Sequence, residues 1–522
     1  MKLLLICMPV ISKKYNKKER FSATSMPYGV LSIATYLKKY ASEVELIEII
    51  DLQTESNQMY IDEPQKIAEL VDAKNFDMVG ISAMFNDSLE YMFDYAEVIK
   101  KLCHEVFVFV GGTAASNMYE EILNETKYVD AVCVGEGELP ILKMIQSQDR
   151  QSFLEEYPAW ITHKGLSNCK KISRVSIENI EEIPVIEYDY LNVEEYESRS
   201  WDNEGISAFP MLSSRGCPFN CIFCCLAQNR ERKFRVMSAE RFIEDAKYIV
   251  EKYDAKVLSI LDDQFLLNTE RAKKILRGLR ELNVKIEVPS GVSVRYVDEE
   301  IAFLMKECGV EEISLAIESG SERMLKEIID KPLKLSEIKP AVEALRKANI
   351  QTKAFFVLGI PGETPKDRED TLNLILETGF DWCQISVAVP FKGSRLYDIC
   401  IEKGYVDEAE LKKDNLTPDM ALIRAPHIDP QEIKEIVYKM NLQVNFVNNY
   451  ANKIGNYKLA ESQFRHICDK YPTQAFAHYF LADVLSKDNG DKEEIKKHMD
   501  EFYSIIEKDN KWRRYAEEFA LI

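Results

Sequence analysis

The sequence predicts an α/β chain in three parts: an N-terminal doubly wound parallel sheet, a central partial TIM-type (β/α)6 barrel and a C-terminal α-helical region. Three observations carry this. Short apolar runs alternate with helical patterns over residues 1–150, the alternation resumes with longer units over 206–400, and residues 401–522 read as helical and charged. With 522 residues the chain is too long for one core, so a split into domains is expected.

In the first part, residues 2–8 read as a strand, 29–40 as a helix and 44–51 as a second strand; 78–84, 107–110 and 131–134 are further short apolar runs, each followed by loop residues. Ligands of such sheets sit beyond the carboxyl ends of the strands, so those loops are the ones to read for chemistry. They are Ser82-Ala83-Met84, Gly111-Gly112-Thr113 and Gly135-Glu136-Gly137-Glu138, together with Met26-Pro27-Tyr28-Gly29-Val30 opening the first helix. Glycines at strand ends let backbone approach a large flat ligand, although each loop taken singly is also an ordinary turn. Residues 151–205, with Pro158, Pro184 and many acids, read as a linker.

In the second part, 210–213 leads into Cys217-Pro218-Phe219-Asn220-Cys221-Ile222-Phe223-Cys224, and 238–253 is helical. A strand at 257–261 ends at Asp262-Asp263-Gln264-Phe265, acids that serve equally as a turn or a helix cap. A candidate strand at 286–288 is followed by 290–295 along the rim, and 312–317 runs into Glu318-Ser319-Gly320-Ser321. Residues 352–358 end in Gly359-Ile360-Pro361-Gly362-Glu363-Thr364, and a last strand at 383–389 is followed by Pro390-Phe391-Lys392-Gly393-Ser394.

The cysteine triplet is the most specific signal. A 4Fe-4S cluster held by Cys217, Cys221 and Cys224 keeps one iron without a protein ligand, open to substrate or cofactor. Zinc is the rival, but structural zinc sites want four closed ligands. Cys225 reads as a packed thiol, and the remaining cysteines are scattered singly, which argues against disulfides.

The triplet and the strand-end motifs after it resemble the radical S-adenosylmethionine (SAM) superfamily, and the four N-terminal loops resemble the cobalamin-binding, Rossmann-like domain found upstream of many such cores; the resemblance covers roughly residues 1–400. It implies a 4Fe-4S cluster on Cys217, Cys221 and Cys224. SAM would be held near Phe223, Asp263, Glu318, Ser319, Gly359, Pro361, Gly362 and Pro390. Cobalamin would lie against Tyr28, Gly29, Ser82, Met84, Gly111, Gly112, Gly135, Glu136 and Gly137. The implied reaction is reductive cleavage of SAM to a 5'-deoxyadenosyl radical, with methyl transfer from methylcobalamin to an unactivated carbon of a small-molecule or peptide substrate, fed by an external donor such as flavodoxin or ferredoxin. Non-methylating radical chemistry with the same cofactors is the nearest alternative; a non-catalytic cobalamin or iron-sulfur sensor is the alternative of another class. The Asp-x-His-x-x-Gly motif of many cobalamin domains is missing, the first histidine being His104, and Lys392 stands where the family often has proline. The lower face of the cobalt is therefore expected bare, water-bound or approached by another group.

A formal charge of −20 disfavours a nucleic-acid partner. No apolar run approaches the roughly 20 residues of a membrane span, and residues 3–10 lack a signal-peptide cleavage region, so cytoplasmic residence is expected. In the last part, Gly455-Asn456-Tyr457, Ala460, Phe464, Pro472, Ala475, Tyr479 and Ala482 recur at spacings like one tetratricopeptide unit, expected to be a lid or packing element, with a protein partner as a further role. His466, His478 and His498 read as surface or satisfied residues.

Overall fold

The computed structural model describes residues 1–10, 25–196, 205–225, 233–412 and 420–522. The N-terminal sheet comprises β1 (Lys2–Cys7), β2 (Leu46–Asp51), β3 (Met78–Ser82), β4 (Phe107–Gly111), β5 (Ala131–Cys133) and β6 (Trp160–Ile161), in the order β2-β1-β3-β4-β5-β6. The first five are parallel, and β6 runs antiparallel to β5. Burial on both faces explains why these strands read as continuous apolar runs. In β1, Leu3 and Leu5 belong to the core under helices Tyr28–Tyr40 and Glu138–Ile145, while Leu4 and Ile6 belong to the core under Gln65–Lys74 and Asp87–Leu102. The order reverses between β1 and β3, the switch point at which open sheets of this 2-1-3-4-5 type take ligands.

The segment read as a linker is more structured than its prolines and acids suggest. It holds helix Arg150–Glu156, β6 and helix His163–Ser167 before an extended stretch whose Ile177, Ile180, Ile183, Ile186 and Tyr188 join the main core. Its end is pinned from both sides: the Tyr188 hydroxyl donates to the Pro210 carbonyl (2.6 Å) and the Tyr196 hydroxyl to Asp51 (2.8 Å).

The second region contains β7 (Ala208–Met211), β8 (Ser214–Arg215), β9 (Arg235–Val236), β10 (Val257–Ile260), β11 (Lys285–Glu287), β12 (Glu312–Glu318), β13 (Gln351–Leu358) and β14 (Trp382–Val387). Two three-stranded parallel sheets, β11-β10-β7 and β12-β13-β14, meet through a parallel bridge between Val292 and Leu315. The result is six parallel strands around a barrel left open between β7 and β14. Strands β8 and β9 form a separate antiparallel clip at the base of the cysteine loop.

The C-terminal helices seal the open edge. From Pro430–Leu442 and the π-helical turn after it, Asn445 accepts from the Cys383 N–H and donates to its carbonyl, both at 2.8 Å. Asn441 does the same to Ile385 at 3.2 and 2.8 Å, so two side-chain amides act as a substitute strand for β14. Beyond them Tyr457–Lys470, Ala475–Lys487, Lys492–Lys508 and Asn510–Glu518 enclose their own aromatic core, with Phe464, Phe476, Phe480 and Phe502 buried. No helix among the described residues is long and apolar enough to cross a membrane.

Candidate functional site

The cysteine loop leaves β8 through Gly216, whose φ of +90° and 2.5 Å approach to the Lys233 carbonyl, measured from an added Cβ, leave no room for a side chain. Its base is fixed by Asp262, which is fully buried and accepts from the Ser213 amide and hydroxyl (both 2.6 Å) and from the Ser214 hydroxyl. The far side is fixed by the Ile222 N–H donating to Ile329 (2.9 Å) and the Leu396 N–H donating to Ile222 (2.8 Å). The three thiols are half-buried and feel one another: burial pushes Cys221 up to about 12, with Cys224 and Cys217 adding to the rise and Lys331 opposing it. Cys217 is raised by burial first, and Asp263 and Cys224 raise it further. Cys225 turns away, its Sγ 4.0 Å from the Phe391 carbonyl.

Around the loop stand the ends of the barrel strands. Glu318 sits at a bulge closing β12, in the left-handed region at φ +73° and nearly buried, and Lys331 donates to it at 3.1 Å. A non-glycine residue held there is costly unless its surroundings fix it, and such strain gathers at binding sites. Lys331 was not singled out by sequence reading. It follows a π-helical turn, Met324–Ile329, and Asp330 in the left-handed conformation, which swing its ammonium toward Cys221 and Cys217. Phe223 packs against the main core, and Pro390 is buried at the end of the last strand segment.

After β13, the Gly359 N–H donates to Glu363 (2.8 Å), while the other Glu363 oxygen is buried with no partner among the described residues. Burial pushes this carboxyl up to about 7. An orphaned buried acceptor at a strand end is what a ligand donor would satisfy. Gly362 offers its carbonyl to Arg323 (2.8 Å), and Pro361 lies between the two glycines. Ser319 follows Glu318 directly after β12. It is 1% exposed, its hydroxyl lies 3.3 Å from that of Thr371 and it accepts from the Ser321 N–H, so it braces helix Pro365–Thr378.

At the carboxyl edge of the N-terminal sheet, Gly112 has φ +100°, and an added Cβ would stand 2.5 Å from the Ala83 carbonyl. Gly111 makes only ordinary contacts, Gly29 faces open space, and Met84 and Phe85 expose about half of their side chains. Ser82 accepts from the Met8 N–H through its carbonyl (3.1 Å) and Gly135 donates to the Ser116 hydroxyl (3.0 Å). Bare glycines beside exposed apolar side chains along one sheet edge fit the face of a large flat cofactor.

Three residues of that set serve other ends. Glu136 is taken up by Arg215 (3.3 Å) and Arg235, Gly137 admits Ile33 at 2.7 Å from its would-be Cβ, and the Tyr28 hydroxyl is directed at Arg215. The sequence reading missed the centre of this cluster. Arg215, two residues before Cys217 and nearly buried, donates to Glu138 at 2.7 Å and to Ser32 at 3.1 Å, and Ser32 donates to Glu138 at 2.6 Å. Burial raises the Glu138 carboxyl, but the Arg215 guanidinium outweighs it and holds the group below the usual range. The one available signal was chemical: a guanidinium destined for a core needs carboxylates, and Glu136 and Glu138 are spaced to supply two. Lys392 also crosses the seam, pairing with Glu121.

Residues 211–375 match the family model of the radical SAM superfamily, and residues 20–144 match that of the B12 binding domain. The chain is 28% identical over 440 residues to a methyltransferase of Pyrococcus horikoshii that is itself uncharacterised, covering 84% of this chain and 91% of that protein. It is 25% identical over 461 residues to cytidylyl-2-hydroxyethylphosphonate methyltransferase of Streptomyces wedmorensis, covering 80% and 86%. By fold it is similar to the cobalamin-dependent S-adenosylmethionine radical enzyme OxsB, solved with aqua-cobalamin and SAM bound, at a TM-score of 0.65 and 16% identity over 100% of this chain and 81% of that one.

Proposed function

The chain belongs to the radical SAM superfamily and carries a B12 binding domain ahead of the radical SAM domain, and from that premise we propose that it transfers a methyl group to an unactivated carbon of a small-molecule or peptide substrate. The observation that carries the reading is Arg215. Rooted beside the cysteine loop, it ends on Glu138 and Glu136 of the loop after β5, so the two cofactor edges are held to one another by a buried ion pair. Methyl transfer is favoured over other radical outcomes because both sequence relatives described above are methyltransferases.

When bound, the cluster, SAM and cobalamin supply the electron, the radical and the methyl group respectively, and the protein supplies placement. Cys217, Cys221 and Cys224 are the ligands of the cluster, and binding it displaces the protons that burial otherwise retains on Cys217 and Cys221. Lys331 offsets the negative charge gathered there, and Glu318 fixes Lys331. Asp263, the backbone of Gly359 to Gly362, Glu363 and the Pro390 turn line the SAM side, with Phe223 as the apolar wall. Gly29, Gly111, Gly112 and Gly135 with Ser82 and Met84 form the cobalamin side. Twelve free cysteines and an oxygen-sensitive cluster suit a reducing cytoplasm and a flavodoxin- or ferredoxin-type donor.

Anaerobic reconstitution with cobalamin, reductant and cell extract, followed by mass spectrometry, tests this. Both S-adenosylhomocysteine and 5'-deoxyadenosine should accumulate with a product heavier by one methylene; 5'-deoxyadenosine without S-adenosylhomocysteine would rule out methylation from SAM.

A further inference from the structure

We propose that the C-terminal helical region holds a second metal site, a zinc(II) ion on Cys468, His478 and His498, separate from the iron-sulfur ligands. The three residues come from three successive helices, Tyr457–Lys470, Ala475–Lys487 and Lys492–Lys508, and all are buried. Among the described residues, no other three Cys, His, Asp or Glu side chains bring their ligand atoms within 4.8 Å of one another. Cys468 Sγ lies 3.7 Å from His478 Nδ1, and the two Nδ1 atoms face each other at 2.9 Å. A tetrahedral zinc with ligand bonds of about 2.05 Å to nitrogen and about 2.3 Å to sulfur needs edges of about 3.3 and 3.6 Å, so the His478–His498 and Cys468–His478 edges fit after a shift of a few tenths of an ångström, with all three donors within 4.8 Å of one another.

The surroundings orient the His478 ring for this. His478 Nε2 lies 2.9 Å from the Pro472 carbonyl, which can only accept, so the proton sits on Nε2 and Nδ1 turns its lone pair inward. His498 Nε2 faces the Glu494 carboxylate at 4.0 Å, and Arg465 holds that carboxylate at 2.7 Å. A carbonyl partner on the outer nitrogen is the usual company of a metal-bound histidine; the Glu494 carboxylate adds negative charge beside His498 but lies beyond hydrogen-bond reach of its Nε2. The two Nδ1 atoms at 2.9 Å need a proton or a cation between them, and a thiol beside them, which gives up its proton on binding, makes a thiophilic d10 cation the better occupant. One thiolate and two imidazoles leave a fourth position for water. Since the ligands staple three helices and no barrel strand end is near them in sequence, the ion's work is structural.

The test uses the full chain with Cys217, Cys221 and Cys224 changed to Ala, so that the cluster thiols cannot compete. Zinc titration with a chromophoric chelator should give one tight equivalent per chain, and cobalt(II) added to the cobalamin-free protein should give the intense visible bands of a tetrahedral thiolate site. Cys468→Ser and His498→Gln, each added to that background, should lose the tight equivalent and the bands while far-ultraviolet circular dichroism still reports a helical protein. Absence of a tight equivalent in the triple variant overturns the proposal, as does an equivalent that survives both added substitutions. If a variant fails to fold, the triple variant's own stoichiometry and cobalt spectrum decide the matter.

Discussion

Replacing Arg215 by Met should loosen the junction between the two cofactor domains far more than any surface change. The side chain is 9% exposed and Glu138 only 5%, so this pair lies in the regime where removing one partner strands the other. Glu138 would keep the Ser32 hydroxyl and a backbone N–H but no cation partner among the described residues, and Glu136 would keep Arg235. Breaking a buried pair in this way costs about 3–5 kcal/mol. At about 1.4 kcal/mol per decade, that is a fall of two to three and a half decades in the amide protection of helix Tyr28–Tyr40 and of β8, read by native-state hydrogen exchange. The pH dependence gives a second handle. In the wild type the lowered Glu138 contributes stability above the usual carboxylate range and loses it as pH falls through its depressed value. In the variant, burial without a cation raises Glu138, which then takes up a proton readily. The gap between the two proteins should therefore be widest above about pH 7 and should narrow toward about pH 5. A loss of less than tenfold, or one that is the same at both ends after correction for intrinsic exchange, would refute the reasoning.

Three further outcomes are expected. Changing Cys217, Cys221 or Cys224 to Ala should abolish the cluster's absorbance and SAM cleavage, whereas Cys225→Ala should retain both, since its sulfur points to the Phe391 carbonyl; loss of the cluster in the Cys225 variant defeats the ligand choice. Glu363, raised to about 7 from 4.5, stabilises the fold fully below the lower value and loses that contribution as pH rises through the higher one. Urea unfolding of the cofactor-free protein should accordingly show stability falling between about pH 5 and pH 8 and a flatter profile for Glu363→Gln; parallel profiles would count against it. Gly112→Ala forces a side chain into a positive-φ turn against the Ala83 carbonyl, and equilibrium dialysis should show cobalamin affinity at least about tenfold weaker, with a destabilisation on the order of 1–3 kcal/mol.

Most parallel strands were legible because buried strands leave apolar runs, as in Leu3 to Cys7 of β1 and Ala354 to Leu358 of β13. Strand β6 was not, because it is two residues long and follows Pro158, a signal that also marks linkers. Glycines at strand ends were readable as backbone features, and Gly112 has the conformation that only glycine adopts cheaply. Side-chain roles were harder. Glu136 and Ser319 stand within strand-end motifs, yet one is claimed by Arg235, 99 residues away, and the other by Thr371, 52 residues away. No local pattern reveals such partners. His478 and His498 illustrate the same limit: each alone looks like an ordinary helix-surface residue, and only the folding of three helices brings them together with Cys468.

The Arg215 junction bears on how such chains can be recombined. A barrel produced without the sheet, or grafted onto the corrin-binding half of a relative, would carry a guanidinium buried at the graft line with nothing to neutralise it. Chimeras that exchange halves should fold only when the acceptor brings an acid pair equivalent to Glu136 and Glu138, or when position 215 is changed to an uncharged residue together with them. The sheet and the barrel are thus matched to one another at this junction, and the residue that enforces the match lies two residues from Cys217.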